Sequence, residues 1–227
     1  MINLENILNS PLENNPWEYK YVKNILSDEF YNLTAIELQK LENYLTEKEF
    51  NKDGFWLFEL LKYGVSQSWI DKVFEINHVL LKNANKILER FKLSNTSKIG
   101  YFGIPRIGFC TAHVNDKIHD DGDDTDKSLI MTIYILPETC YGTQLYSDNN
   151  SNSFVKSLDW NTNQALVFAP AKNITWHQVK NGDQPRITLS FYYERIEDLY
   201  INRLSKEKIE WFYSHFDQLL LELKDCN

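Results

Sequence analysis

IHDDGDDTDKSLIMTIYILPETCYGTQLY, residues 118–146, sets a histidine and an aspartate two apart, then an acidic loop, an apolar run, a turn and a short second run. In an extended segment His119 and Asp121 project from one face. Leu129–Leu136 reads as a strand and Thr143–Tyr146 as the next, with Gly142 in the turn between them. Working outward, more short apolar or alternating runs appear at Ile99–Cys110, Phe154–Leu158, Ala165–Phe168, Thr175–Val179 and Arg186–Tyr193. Gly, Asn, Asp and Pro clusters separate them. Such a density of short strands predicts an all-β sandwich or barrel.

The flanks read differently. Ser27 is placed to cap a helix whose first turn carries Asp28 and Glu29, with Phe30, Leu33, Leu41, Tyr44 and Leu45 at helical spacings. Ser66 is placed to cap a longer helix with a stripe of Trp69, Ile70, Val73, Leu80, Leu81, Ala84, Leu88 and Phe91. Beyond Ser205, the residues Ile209, Phe212, Phe216, Leu219, Leu220 and Leu223 predict a C-terminal amphipathic helix. No repeat or low-complexity linker divides the chain. The expectation is one domain over 1–227: a helical region 1–98, a β core about 99–194, and a helix about 205–224. The class is mainly β with flanking α.

With 227 residues, 43% hydrophobic and 14% aromatic, the chain is long and apolar enough for a substantial core. A net charge of -8 disfavours nucleic acid as a partner. Cys110, Cys140 and Cys226 are widely spaced, which suggests neither a disulfide framework nor a structural zinc site. The opening MINLENILNSPLENN is acidic and polar, unlike a signal peptide. No apolar run approaches the roughly 18 residues that span a bilayer. The expected location is cytoplasmic, and the oligomeric state stays open.

His119 and Asp121, with a later His177, offer two imidazoles and one carboxylate. That set holds Fe(II) facially and leaves coordination positions free. An H-x-D pair alone says little in a chain with five histidines and 32 acidic residues. Indeed His215 and Asp217 form a second one, in the predicted C-terminal helix, where residues two apart face different ways. His113 and Asn115 make a poorer anionic ligand set. The acidic run Asp120–Asp126 lacks the calcium-loop order and reads as a solvated loop. For His119 and His177 the bland alternative is a solvated turn and a packed, hydrogen-bonded core histidine.

The segment quoted above resembles the first half of the double-stranded β-helix of the 2-oxoglutarate/Fe(II)-dependent oxygenases, especially small prolyl-hydroxylase-like members. NQALVFAPAKNITWHQVKNGDQPRITLSFYY, residues 163–193, is similar to the family's closing run: an apolar strand, a turn, a histidine, and an arginine about ten residues on. The likeness covers Ile118 to Tyr193 and leaves out the N-terminal helices. It implies a jelly-roll, cupin-like β-helix buttressed by the helices. It also implies iron ligation by His119, Asp121 and His177, and a salt bridge from Arg186 to the distal carboxylate of 2-oxoglutarate. Thr188 would add a hydroxyl, and Tyr134 would donate to the same carboxylate. Tyr134 is also readable as a plain core aromatic, and Lys127 as an alternative cation. Gly142 would allow close backbone approach, and Trp176 would face away from the metal.

The resemblance further implies Fe(II), 2-oxoglutarate and O₂ as cofactor and cosubstrates, with ascorbate as an accessory reductant. The reaction would hydroxylate a peptidyl side chain, amino acid or small metabolite, releasing succinate and CO₂. Asp121 departs from the small residue of the family's halogenases. Tyr192 stands where its nucleic-acid demethylases carry a second arginine. Two other classes stay open: a non-catalytic jelly-roll binding module, and a cupin-type metal enzyme that makes no use of 2-oxoglutarate.

Overall fold

Period-two alternation along the strands assigns each side chain to one of two layers. The computed structural model describes residues 1–42, 54–92, 94, 96–98, 100–110, 116–122, 127–180, 182–195 and 220–222. In chain order the elements begin with α1 (Leu4–Asn9), β1 (Lys20–Lys23), α2 (Asp28–Glu42), β2 (Phe55–Trp56), a 3₁₀ segment (Leu57–Tyr63), α3 (Gln67–Lys82) and α4 (Ala84–Leu88). There follow β3 (Gly100–Cys110), β4 (Lys127–Leu136), β5 (Thr143–Tyr146), β6 (Phe154–Ser157), β7 (Gln164–Phe168), β8 (His177–Val179), β9 (Arg186–Arg195) and β10 (Leu220–Glu222).

Seven strands make one sheet, in the order β1-β7-β4-β9-β3-β10 with β2 also against β3; β6-β5-β8 make a second. The pairings are antiparallel. This is the jelly-roll architecture that the strand density predicts.

In β9, Ile187, Leu189, Phe191 and Tyr193 face outward into the main core, with Met131, Ile133 and Ile135 of β4 and with helix residues such as Trp69, Val73 and Leu80. Each buried side chain of this size contributes about 1.5–3 kcal/mol. The inner face carries Ile130, Leu166 and Phe168, which meet Leu145 of the second sheet together with Trp17 and Tyr19. The alternate residues of β9, Arg186, Thr188 and Ser190, are also buried, on that same inner face. A polar row inside a barrel is costly unless its members are hydrogen-bonded or paired.

The predicted helix starts hold. The Phe30 N–H donates to Ser27 Oγ at 3.4 Å, and the Trp69 N–H donates to Ser66 Oγ at 3.3 Å. Trp69 Nε1 donates to Thr34 Oγ1 at 3.0 Å and ties α3 to α2. The long stripe after Ser66 is interrupted, however. Asn83 turns its amide onto the Val79 carbonyl at 2.8 Å and divides α3 from α4.

Two expectations need correction. The region 1–98 is not helical throughout: β1 extends the large sheet on β7, with Val22 opposite Ala165. A four-residue strand has too few alternations to stand out, and it forms because the edge of β7 offers unpaired backbone groups. Likewise Leu220–Glu222 is a strand on β3, not helix, with Leu221 opposite Tyr101. The rest of the predicted helix 205–224, including His215 and Asp217, lies outside the described residues, as do His113 and the loop 123–126. Among the described residues, no helix is long and apolar enough to cross a membrane.

A candidate metal centre beside a buried arginine

His119 and His177 meet through their backbones. The His119 N–H donates to the His177 carbonyl at 3.0 Å, and the His177 N–H donates to the His119 carbonyl at 2.8 Å. This bridge sets the ring centroids 4.3 Å apart. Each ring is then held the same way: His119 Nδ1 lies 2.8 Å from the Lys117 carbonyl and His177 Nδ1 lies 2.8 Å from the Thr175 carbonyl. A carbonyl only accepts, so both Nδ1 atoms carry hydrogen and both Nε2 atoms are the ones offered to an ion.

Asp121 completes the set. Its backbone is left-handed, with φ 56, a conformation that aspartate tolerates better than most residues. Asp120 imposes it. That carboxylate, 3% exposed, accepts the Gly122 N–H at 2.9 Å and the Asn173 N–H, while the Asp120 carbonyl accepts from Thr175 Oγ1 at 2.6 Å. The loop 120–122 is thereby fastened to the turn before His177. Gly122 permits the approach, because a Cβ there would stand 2.4 Å from Lys172 N.

The ligand atoms of His119, Asp121 and His177 lie within 4.8 Å of one another. Asp121 Oδ2 is 3.3 Å from His177 Nε2. Two adjacent ligands, each about 2.1 Å from a first-row ion, stand about 3 Å apart, so the cluster has the span for one metal. Asp121 Oδ1 is engaged separately, by Lys127 Nζ at 2.9 Å. Burial pushes the Asp121 carboxyl up, but hydrogen bonding and charge from His177, with Lys127, outweigh it and hold the group well below the usual carboxylate range. Burial, and next the neighbouring His177, push His119 below its ordinary value and favour the neutral imidazole that a metal needs. Phe168 and Trp17 wall the His177 ring, at centroid distances of 5.3 and 6.3 Å.

Arg186 opens β9 on the same inner face. It is 3% exposed, and its Nη1 has no hydrogen-bond partner among the described residues. Nη2 reaches Thr143 Oγ1 at only 3.4 Å, and that oxygen also pairs with the Tyr134 hydroxyl at 2.9 Å. The guanidinium lies over the Tyr134 and Trp160 rings, 5.1 and 4.8 Å from their centroids, and these two rings stack on each other. Thr188 sits opposite Tyr134 and next along the face. Gly142 is required here, because a Cβ would fall 1.6 Å from the Leu158 carbonyl oxygen. Such a buried cation, short of acceptors and framed by hydroxyls, suits a carboxylate.

All six residues singled out in the sequence thus line one interior. Lys127 is neither a free loop lysine nor near Arg186; it pairs with Asp121. Sequence reading missed Asp120, Thr175, Thr143, Trp160 and Trp17. Thr143 follows Gly142 in the quoted segment, a faint local signal, whereas nothing near Trp17 or Trp160 marks them.

Neither a protein-family model nor a curated protein matches the sequence. Solved structures match it in fold. A Pseudomonas putida prolyl-4-hydroxylase aligns at 13% identity and TM-score 0.52 over 78% of this chain and 92% of its own. A Trichoplax adhaerens prolyl hydroxylase, in complex with a hypoxia inducible factor oxygen degradation domain peptide fragment, aligns at 14% identity and 0.51, over 79% and 84%. The non-heme alpha ketoglutarate dependent epimerase SnoN from nogalamycin biosynthesis aligns at 11% and 0.54, over 78% and 77%. The chain has the double-stranded β-helix fold of the 2-oxoglutarate/Fe(II) oxygenases. At these identities the likeness is one of fold, and the chemistry has to be argued from the site.

Proposed function

We propose that the protein is a 2-oxoglutarate- and Fe(II)-dependent dioxygenase that hydroxylates a peptidyl side chain, an amino acid or a small metabolite. The observation that carries this reading is Arg186: buried, with an unpartnered Nη1, in the same interior as the His119, Asp121 and His177 cluster. A metal-binding barrel with no dicarboxylate cosubstrate gives no reason to bury that cation.

His119 and His177 would hold iron through Nε2, and Asp121 through Oδ2, the oxygen facing His177. Lys127, bound to Oδ1, fixes the carboxylate plane. His177 Nε2 and Asp121 Oδ2, 3.3 Å apart, would face the same ion. Arg186 would receive the distal carboxylate of 2-oxoglutarate, with the Thr188, Thr143 and Tyr134 hydroxyls around it. Phe168 and Trp17 keep water from the His177 side. Iron with 2-oxoglutarate and O₂ supplies the oxidation: one oxygen atom enters a substrate C–H bond as an alcohol, the other enters succinate, and CO₂ is released. The prolyl hydroxylase structures, one holding a peptide, support a peptidyl substrate within this class.

The test is succinate release from 2-oxoglutarate by the Fe(II)-loaded protein, with mass spectrometry for products that gain one oxygen. A jelly-roll binding module would bind neither iron nor 2-oxoglutarate. A cupin-type enzyme of another class would bind the metal and leave 2-oxoglutarate unconsumed.

A further inference from the structure

A second arginine lies on the same sheet face, and one of its buried donors has no hydrogen-bond partner among the described residues. Arg106 lies opposite Ser190 in the β3–β9 pairing, so it shares the inner face with Arg186, Thr188 and Ser190. Ser190 in turn donates across that face to Thr132 Oγ1 at 3.2 Å. The Arg106 guanidinium lies 5.7 Å from the Tyr192 ring centroid. Its Nε is buried and has no hydrogen-bond partner among the described residues. The residue as a whole is half-buried.

Tyr192 places Arg106 relative to the metal. Lys127 Nζ also lies against that ring, 5.1 Å from its centroid, and the same Nζ is 2.9 Å from Asp121 Oδ1. Arg106 is therefore one aromatic ring away from the pair that holds the candidate metal ligand. Arg186 is further off. Ser190 is four residues along β9 from Arg186, about 13 Å at about 3.3 Å per residue. The two guanidinium groups are also fixed apart, one over Tyr134 and Trp160 and the other over Tyr192. A dicarboxylate held by Arg186 and the metal does not occupy Arg106 as well.

A desolvated Nε–H with no acceptor is unfavourable until one completes it, and a guanidinium pairs best with a carboxylate's two oxygens. We propose that Arg106 anchors a carboxylate of the substrate to be oxidised, so that the substrate is an acid: a free organic or amino acid, or an acidic residue of a peptide. This rests on the oxygenase reading for the identity of the site, but its test reads Arg106 directly.

The protein is labelled with ¹⁵N-arginine and loaded with Zn(II), and the Arg106 and Arg186 Nε–H signals are assigned with Arg106→Lys and Arg186→Lys. The probes are free amino acids, short dicarboxylic acids and peptides with one acidic residue, each beside its carboxamide counterpart, added with 2-oxoglutarate present. The expected result has 2-oxoglutarate shifting Arg186 and leaving Arg106 in place. At least one acid then shifts Arg106 and binds tenfold or more tighter than its amide. Arg106→Ala should abolish that preference with 2-oxoglutarate affinity unchanged. Whether the responding acid is free or peptidic separates the two sources. No probe moving Arg106, or amides binding as well as acids, overturns the proposal. Failure of 2-oxoglutarate to move Arg186 is a different result: it counts against the oxygenase reading, while the Arg106 signal still reports acid binding.

Discussion

His119 and His177, 58 positions apart in sequence, exchange both backbone hydrogen bonds and point their Nε2 atoms into the same space. The pairing makes the two imidazoles one rigid unit, because each ring is also tied back by Nδ1 to the carbonyl two residues earlier. Substituting His177 by alanine should lower affinity for Fe(II), or for Co(II) as a spectroscopic stand-in, by more than the 10–100-fold that loss of an outer hydrogen-bond partner costs. Titration calorimetry reads this, and unchanged affinity would remove His177 from the site.

Asp120 should matter almost as much, though its carboxylate faces away from the ligand cluster. Asp120→Ala strips the acceptor from two backbone N–H groups, those of Gly122 and Asn173, and frees Asp121 from its left-handed geometry. The expected cost is about 3 kcal/mol of stability, from stranding these donors. Metal affinity should also fall about 10–100-fold. Asp120→Asn retains one acceptor and should lie between. Denaturant unfolding and metal titration on the same samples check both effects, and a variant with wild-type metal affinity would show that the loop needs no such fastening.

The contrast between Asp120 and Asp121 shows what the sequence discloses. Asp121 is legible because its relation to His119 is local, two residues along an extended segment. Arg186, Thr188 and Tyr134 are picked out by the family resemblance, through their order and spacing on apolar strands, with Tyr134 equally readable as a core aromatic. Asp120 reads as one more charge in a solvated acidic loop, since its purpose depends on Asn173, which is adjacent only in the folded chain. Trp160 and Trp17 are similar: their contacts with Arg186 and His177 arise from chain segments that no spacing rule connects. The helix caps at Ser27 and Ser66 are local and hold. Strands β1 and β10 are not legible, because pairing with an existing sheet edge decides them and their own propensity does not.

Acid should loosen the metal-free fold in two stages. His119 titrates below its ordinary value of 6.5 in the folded protein, so the unfolded chain takes up a proton first as pH falls through that value, and stability drops. Asp121 is likewise held below its ordinary 3.8, so its contribution is present above that pH and is lost beneath it. Thermal melts of the metal-free protein from pH 8 to pH 3 should show a falling Tm below about 6.5 and a second fall below about 4. His119→Gln should shrink the first stage, to which His78, also pushed below its ordinary value by burial, adds, and leave the second. Bound metal should steepen the first, because protons and metal compete for the same nitrogen atoms. An equally steep first stage in His119→Gln would assign it to another group.

Arg186 carries the functional reading, so its substitution is the most informative. An arginine on an outer face, in a solvated ion pair, would be worth only about 0–1 kcal/mol. Arg186 is instead 3% exposed, lies between the hydroxyl of Thr143 and the rings of Tyr134 and Trp160, and leaves Nη1 without a partner among the described residues. A carboxylate arriving there would form a desolvated charge pair, and truncating one side of such a pair costs roughly 2–5 kcal/mol. That corresponds to a loss of about thirtyfold to several thousandfold in affinity. Arg186→Ala should therefore raise the dissociation constant for 2-oxoglutarate at least thirtyfold while leaving metal affinity nearly unchanged. Arg186→Lys, which keeps the charge but loses the planar fork, should recover only part of the difference. Calorimetric titration of 2-oxoglutarate into the metal-loaded proteins separates the outcomes, with a melting curve to confirm that each variant is folded. Wild-type affinity in a folded Arg186→Ala protein would remove this arginine from the cosubstrate site, and with it the main support for the oxygenase reading.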